Sequence, residues 1–452
     1  MDTSPSEEAT EESQDKIFRA YNPSFLTCDD AAACLHDVLI FQRGTELRWF
    51  ILKDEDGRFF FAEAAEHSAT PTEEAEDDEQ PEPLISLVVS VSATGQLSVP
   101  QGYTVEAVFR MHSASDQGVG ETVSEWSQRN RFFSISDLSD VMNTRRQYTR
   151  CYLSVDGNLL SYTSTNSVFE QELAPRIARD RSGAVRMFEN MYGRGQLPSS
   201  IWILLAVTAG EVVTVVSGVL WRKRGVIKAS WRSDIFQETP SNPQMPIFGQ
   251  VCQDAREVAY HLRLRHRETS AGRQSMGFIL KHKIQDVFVA TAPSFSQYVD
   301  FDRATLFPKD QHGNPMLPRD FRVHGIYHST QPFVADILQG EGDEHFFSPA
   351  DLKVGLNRLL AAPHQRLFLV TSDGAVLRFA KSETSLITGL LAEFDEGLEQ
   401  KIVSGQITPQ MFIDKVAAVG SMGVMVPSKT WPDVGRIRPS GEVVTVIAER
   451  AE

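Results

Sequence analysis

Trp49-Phe50-Ile51-Leu52-Lys53 returns later in the chain as Gly277-Phe278-Ile279-Leu280-Lys281, and the company these two stretches keep decides the fold. Upstream, Cys28-Asp29-Asp30-Ala31 parallels Cys252-Gln253-Asp254-Ala255. Downstream, Met111-His112-Ser113 parallels Tyr327-His328-Ser329, and Phe132-Phe133-Ser134 with Asp137-Leu138 parallels Phe346-Phe347-Ser348 with Asp351-Leu352. The Asp156-Gly157 turn matches Asp373-Gly374, and an apolar run ending at Trp221 matches one ending at Trp431. The matches keep one order, with offsets drifting only between about 228 and 210 residues, as loop insertions produce.

Each copy reads in the same way. An opening helix runs over Asp29–Leu39 or Asp254–Leu264, with Asp29 or Asp254 able to cap it. A hairpin follows, Arg48–Leu52 with Arg58–Ala62 and Met276–Lys281 with Val287–Thr291. After a long loop, a strand carries the histidine (Tyr103–His112; Phe321–His328), and Ser134 or Ser348 then opens a helix in a Ser-x-x-Asp cap. A second hairpin turns through Asp-Gly. The fold expected is α/β (α+β): a tandem duplication of one domain with a mostly antiparallel mixed sheet flanked by helices. The boundaries expected are a disordered acidic tail at 1–15, copy 1 at 16–230, a linker at 231–246, copy 2 at 247–440 and a tail at 441–452.

The chain has 452 residues, 41% hydrophobic and 23% charged, which is globular usage. Of the net charge of −16, six acids without a base lie in residues 1–15 and seven more in the acidic loop 68–83, so the remaining body is close to neutral. Such a balance offers no broad nucleic-acid surface. The four cysteines (Cys28, Cys34, Cys151, Cys252) form no CxxC pair, and a reducing compartment follows as the expectation. The N-terminus has neither a basic nor an apolar signal region, so the location expected is the cytoplasm, with export lacking a signal peptide left open. Residues 201–221 have the length of a membrane span, but Glu211 at the centre, the β-branched run Val212-Val213-Thr214-Val215-Val216 and a glycine-broken counterpart at 416–426 mark them as buried core.

His328, then Ser348-Pro349-Ala350-Asp351, then a strand after Asp373-Gly374, resembles the JAMM (JAB/MPN) metallopeptidase superfamily, closest to the uncharacterised JAMM-like domains of bacterial polymorphic toxins. The resemblance covers roughly 100 residues of each copy. It implies a strand ending in His-x-His, whose two imidazoles, about 6–7 Å apart on one face, share a zinc with the helix aspartate. Water completes the coordination, an earlier glutamate acts as base and the serine steadies the oxyanion. On this chain His328 and Asp351 take metal-ligand places and Ser348 the catalytic serine's place. The second histidine is replaced by Thr330, no carboxylate stands within Ser275–Phe278, and His345 is the side chain able to substitute. His324, about 13 Å along the strand, is too far. Copy 1 keeps vestigial equivalents in His112, Ser134 and Asp137, with Ala114 at the second-histidine place.

The function expected is therefore a catalytically degenerate tandem JAMM-like protein, a pseudoenzyme serving protein binding or scaffolding. The alternatives are a zinc-dependent peptidase or isopeptidase working through copy 2, and a component of a bacterial toxin or immunity system. No cofactor is expected, with zinc in copy 2 as the exception. A protein partner is expected, held by Phe295, Tyr298, Phe301 and Phe307 in the loop of copy 2; nucleic acid and a membrane span are not. The basic stripe Tyr260–Arg267 reads as a solvated helix face, and Arg176, Arg179, Arg181 and Arg186 as a site for acidic groups.

Overall fold

The computed structural model describes residues 23–39, 48–66, 87–92, 95–112, 116–117, 120–178, 187–194, 196–231, 244–269, 274–296, 306–329, 345–361, 366–439 and 443–444. The acidic tail 1–15, the loop 68–83 and most of the tail 441–452 lie outside them. The chain divides into two units, Met1–Ser241 and Asn242–Glu452.

The first unit opens with α1 (Cys28–Leu39), β1 (Arg48–Asp54) and β2 (Phe59–Glu66), followed by β3 (Val88–Val91), β4 (Leu97–Ser98) and β5 (Tyr103–Met111). Helices α2 (Val123–Asn130) and α3 (Ile135–Asn143) lead to β6 (Arg150–Val155) and β7 (Asn158–Thr163). Then come α4 (Val168–Ile177), α5 (Met187–Gly193), α6 (Ser199–Ala209), β8 (Glu211–Val216) and β9 (Gly225–Val226). The strands form one sheet in the order β4-β3-β2-β1-β5-β6-β7-β8-β9. Period-two alternation splits its two faces. Phe50, Leu52, Val108, Cys151, Leu153 and Tyr162 pack in one core with Leu138, Val141 and Trp202 of the helices. Tyr152 and Ser154 reach α1 instead, their hydroxyls meeting Asp29 and, at 2.7 Å, His36 Nδ1. The cap of α1 is Thr27, not Asp29: Asp30 N donates to the Thr27 hydroxyl at 3.1 Å, and Thr27 N donates back to Asp30 Oδ2 at 3.1 Å.

The apolar run 201–221 is neither a span nor one long strand. Its leucine- and alanine-containing start completes α6, and its β-branched half forms β8. The break falls at Gly210, where a Cβ would stand 2.6 Å from the Tyr162 ring and 2.7 Å from the Thr163 carbonyl. Among the described residues no helix is long and apolar enough to cross a membrane.

The second unit runs α7 (Ala255–Thr269), β10 (Gln274–His282), β11 (Phe288–Ala290), β12 (Ser294–Ser296), β13 (Phe321–Ser329), α8 (Pro349–Ala361), β14 (Arg366–Val370) and β15 (Val376–Lys381). It closes with α9 (Thr384–Asp395), α10 (Leu398–Val403), α11 (Pro409–Val419), β16 (Gly420–Val426), β17 (Gly435–Ile437) and β18 (Val443–Val444). Its sheet order is β11-β10-β13-β14-β15-β16-β17-β18, with β12 on β10. Here Asp254 does cap the opening helix, accepting from Glu257 N at 2.8 Å.

Both sheets are mixed and flanked by helices, and their pairing agrees in detail. In each, the histidine-bearing strand is antiparallel to the first hairpin strand and parallel to the next strand in the order, β5 with β6 and β13 with β14. The register slips by one residue after Ile51 in β1 and after Ile279 in β10, then again after Leu159 in β7 and after Val376 in β15. Trp221 Nε1 donates to the Arg131 carbonyl at 2.7 Å, and Trp431 Nε1 to the His345 carbonyl at 2.8 Å, each one residue before the Phe-Phe pair.

Candidate functional site

In the first unit Arg110 near the end of β5 and His112 just beyond it both reach Asp137. Facing them is Asp137 in the first turn of α3, only 1% exposed. One carboxylate oxygen completes a capping box, accepting from Ser134 N and Ser134 Oγ, both at 2.8 Å, while Asp137 N donates to Ser134 Oγ at 3.1 Å. The other oxygen stands 3.2 Å from Arg110 Nη1 and 3.2 Å from His112 Nε2. Arg110 also grips Asp140 through its second Nη. Burial alone would raise the Asp137 carboxyl, but His112, Arg110 and Ser134 together outweigh it and hold the group at about 2. Both oxygens of this carboxylate are thus engaged, and a guanidinium supplies the positive charge beside it.

In the second unit β13 carries His328, 1% exposed, and Ser348 caps α8 by accepting from Asp351 N at 3.1 Å. His328 Nε2 lies 4.0 Å from Asp351 Oδ2, an ion-pair distance too long for a hydrogen bond. Burial pushes the His328 imidazole below its ordinary value against the pull of Asp351, and its ring packs on Phe347 with centroids 5.7 Å apart. His345 does not join this pair. Its Nδ1 is 3.0 Å from the Ser372 hydroxyl and 3.4 Å from Asp373 Oδ1, so the expected set of His328, Asp351 and His345 is not gathered as ligands. His345 stands where the first unit has Arg131, whose Nε donates to Asp156 at 2.7 Å. That place carries a base–acid pair between a loop and the Asp-Gly turn in both units, which explains the histidine without a metal.

The strand registers also correct the pairing of the two histidines. Arg110 lies opposite Arg48 and His328 opposite Met276, each three residues before the slipped position in β1 or β10. The position in β5 that matches His328 is therefore Arg110, and His112 matches position 330. Ala114 and Thr330 lie outside the described residues.

Of the aromatic residues expected to hold a partner, Phe307 is fully buried with its ring 5.6 Å from Phe278, so it belongs to the core. Phe295 pairs through its backbone with Ser275, and Tyr298 and Phe301 lie outside the described residues. Among the expected arginine cluster, Arg176 is exposed on α4, and 179, 181 and 186 lie outside. On the basic stripe Arg263 is buried, not solvated.

One constellation escaped the sequence reading. Cys252, Glu257 and His261 bring a sulfur, a carboxylate oxygen and a ring nitrogen within 4.8 Å of one another. The signal available was a Glu and a His one turn apart on a helix with a cysteine just before its cap. Spacing between cysteines carries no trace of it, because a single cysteine takes part. No protein family, curated protein or solved structure matches this chain.

Proposed function

We propose that the chain is a tandem pair of JAMM-like domains that arose by duplication and acts in protein binding or scaffolding rather than hydrolysis. The observation that carries the reading is the state of Asp137: its two oxygens serve the helix cap and the Arg110–His112 pair. A metal ligand needs a lone pair facing the ion, and a guanidinium in that position repels a cation. The shared strand order, the slips at equal places and the matched indole bonds favour a common origin of the two units.

A second reading, a zinc-dependent peptidase or isopeptidase in the second unit, draws on the His328–Asp351 separation of 4.0 Å and a buried imidazole held neutral. Peptide and isopeptide substrates incubated with the zinc-loaded full chain separate the two. The expected outcome is no hydrolysis above buffer. Hydrolysis that disappears in Asp351→Ala overturns the binding-module reading.

A further inference from the structure

The most informative unexplained cluster lies at the start of α7. Cys252 is buried and fixed by the backbone: its N donates to the Phe288 carbonyl at 2.9 Å and its carbonyl accepts from Phe288 N at 2.8 Å. Two residues on, Asp254 caps the helix, which fixes the direction of its first turns. Glu257 occupies the third helical position, where its Oε2 accepts from Gln253 N at 2.8 Å. His261 follows one turn later on the same helical face, its Nε2 2.6 Å from the Gln250 side-chain amide. Three different donor atoms thus sit within 4.8 Å of one another, held by a strand edge and a capped helix.

We propose that Cys252, Glu257 and His261 form a binding site for a divalent transition cation of the Zn2+ type. Donors about 2.0–2.3 Å from a tetrahedral Zn2+ stand about 3.3–3.8 Å from one another, a contraction that side-chain rotation supplies. A thiolate with an imidazole selects a borderline ion and disfavours Mg2+ and Ca2+, which take oxygen ligands. The thiolate and carboxylate together offset the positive end of the helix, which would otherwise oppose a cation. Gln250 rotates to offer its amide oxygen as fourth donor or yields that position to water. The bound ion ties the first two turns of α7 to the edge at β11.

The first unit provides an internal contrast. Counted from the helix caps, Thr27 and Asp254, the corresponding places hold Phe25, Asp30 and Cys34. Phe25 makes the same backbone pair with Phe59 that Cys252 makes with Phe288, at 2.8 and 3.1 Å, but brings no donor atom. The site belongs to the second unit alone.

This inference is independent of the proposed function, and one experiment keeps them apart. Full-length protein is stripped with chelator, returned to chelator-free buffer and titrated with Co2+ while thiolate-to-cobalt charge-transfer absorption is recorded, then displaced with Zn2+. The expected result is one Co2+ per chain with that absorption, retained in His328→Ala, Asp351→Ala and Cys34→Ser. Cys252→Ser and His261→Ala lose stoichiometric binding. His261 is half-buried, so its variant serves should Cys252→Ser fold poorly by circular dichroism. Absence of thiolate absorption in the wild-type chain, or its persistence in Cys252→Ser, overturns the site. Binding lost in His328→Ala but kept in His261→Ala overturns it too, and would return the metal to the JAMM-like position against the proposed function.

Discussion

The two units place different chemistry at the ends of two strands that pair alike in their sheets. At the end of β5 the first unit has Arg110 and His112 closing on the buried Asp137, one of whose oxygens serves the helix cap while the other is ion-paired. At the end of β13 the second unit has a single buried imidazole 4.0 Å from Asp351, which is 12% exposed. The serine cap, the bulge and the parallel neighbour strand are common to both. What differs is the source of positive charge: a permanent guanidinium in one, a titratable ring in the other. A permanent charge can be buried only if it is matched, so the first unit surrounds it with Asp137 and Asp140. The His328 ring can shed its proton when buried, and it packs against Phe347.

The largest consequence concerns Arg110. Arg110→Met leaves the buried Asp137 without its main permanent counter-charge, and breaking such a pair costs about 3–5 kcal/mol. Amide hydrogen exchange of the full chain should show β5, β6 and α3 losing protection, whereas His328→Met lowers protection around β13 by far less. Equal losses in the two units would break the contrast between an ionic and a packed site.

Acid should separate the units next. Burial, aided by Arg366 and Lys281, holds His324 at about 3, and burial also lowers His328, so both belong to the second unit in neutral form. For such rings the stabilisation is complete above the ordinary value near 6.5 and is lost as pH falls towards the folded-state value. The first unit has His36, lowered by burial to about 4, and Asp137, whose contribution is complete above 3.8 and lost as pH falls through about 2. Protection in β13 and β14, corrected for intrinsic exchange, should therefore fall faster below pH 6.5 than in β5 and β6. A first unit that loosens first on acidification would break this ordering.

The smallest effect sharpens the comparison of the caps. Ser134→Ala and Ser348→Ala each remove an N-cap, typically worth about 1 kcal/mol. Ser134 should be the costlier, because its hydroxyl both accepts from Asp137 N and donates to the buried Asp137 carboxylate. A thermal melt in which the Ser348 variant is the less stable would show that Asp351 depends on its cap more than its exposure suggests.

Local patterns were legible along the chain. Alternation in 48–62 and 276–291 marks the hairpins, and Ser-x-x-Asp marks the starts of α3 and α8. Identity of residue type misled at two places. Matching histidine with histidine aligns His112 with His328, but position along a strand is set by bulges and neighbouring strands, and these put Arg110 there. Matching Cys28-Asp29 with Cys252-Gln253 likewise shifts the first helix, whose start is set by the Thr27–Asp30 capping box. Phe307 read as a partner anchor because it lies in the long loop before β13, and its burial against Phe278 comes from a strand nearly thirty residues earlier.

The sequence by itself determined the mixed α/β class and the caps of α3, α7 and α8, because hydrophobic period and capping act within a few residues. Tertiary structure alone decided which side chains meet. The engagement of Asp137 by Arg110, the pairing of His345 with Asp373 and the convergence of Cys252, Glu257 and His261 depend on strand register and on how helices seat against the sheets. A shift of one residue in register turns a side chain to the opposite face, so contacts across the sheet are set only when the whole ladder is formed.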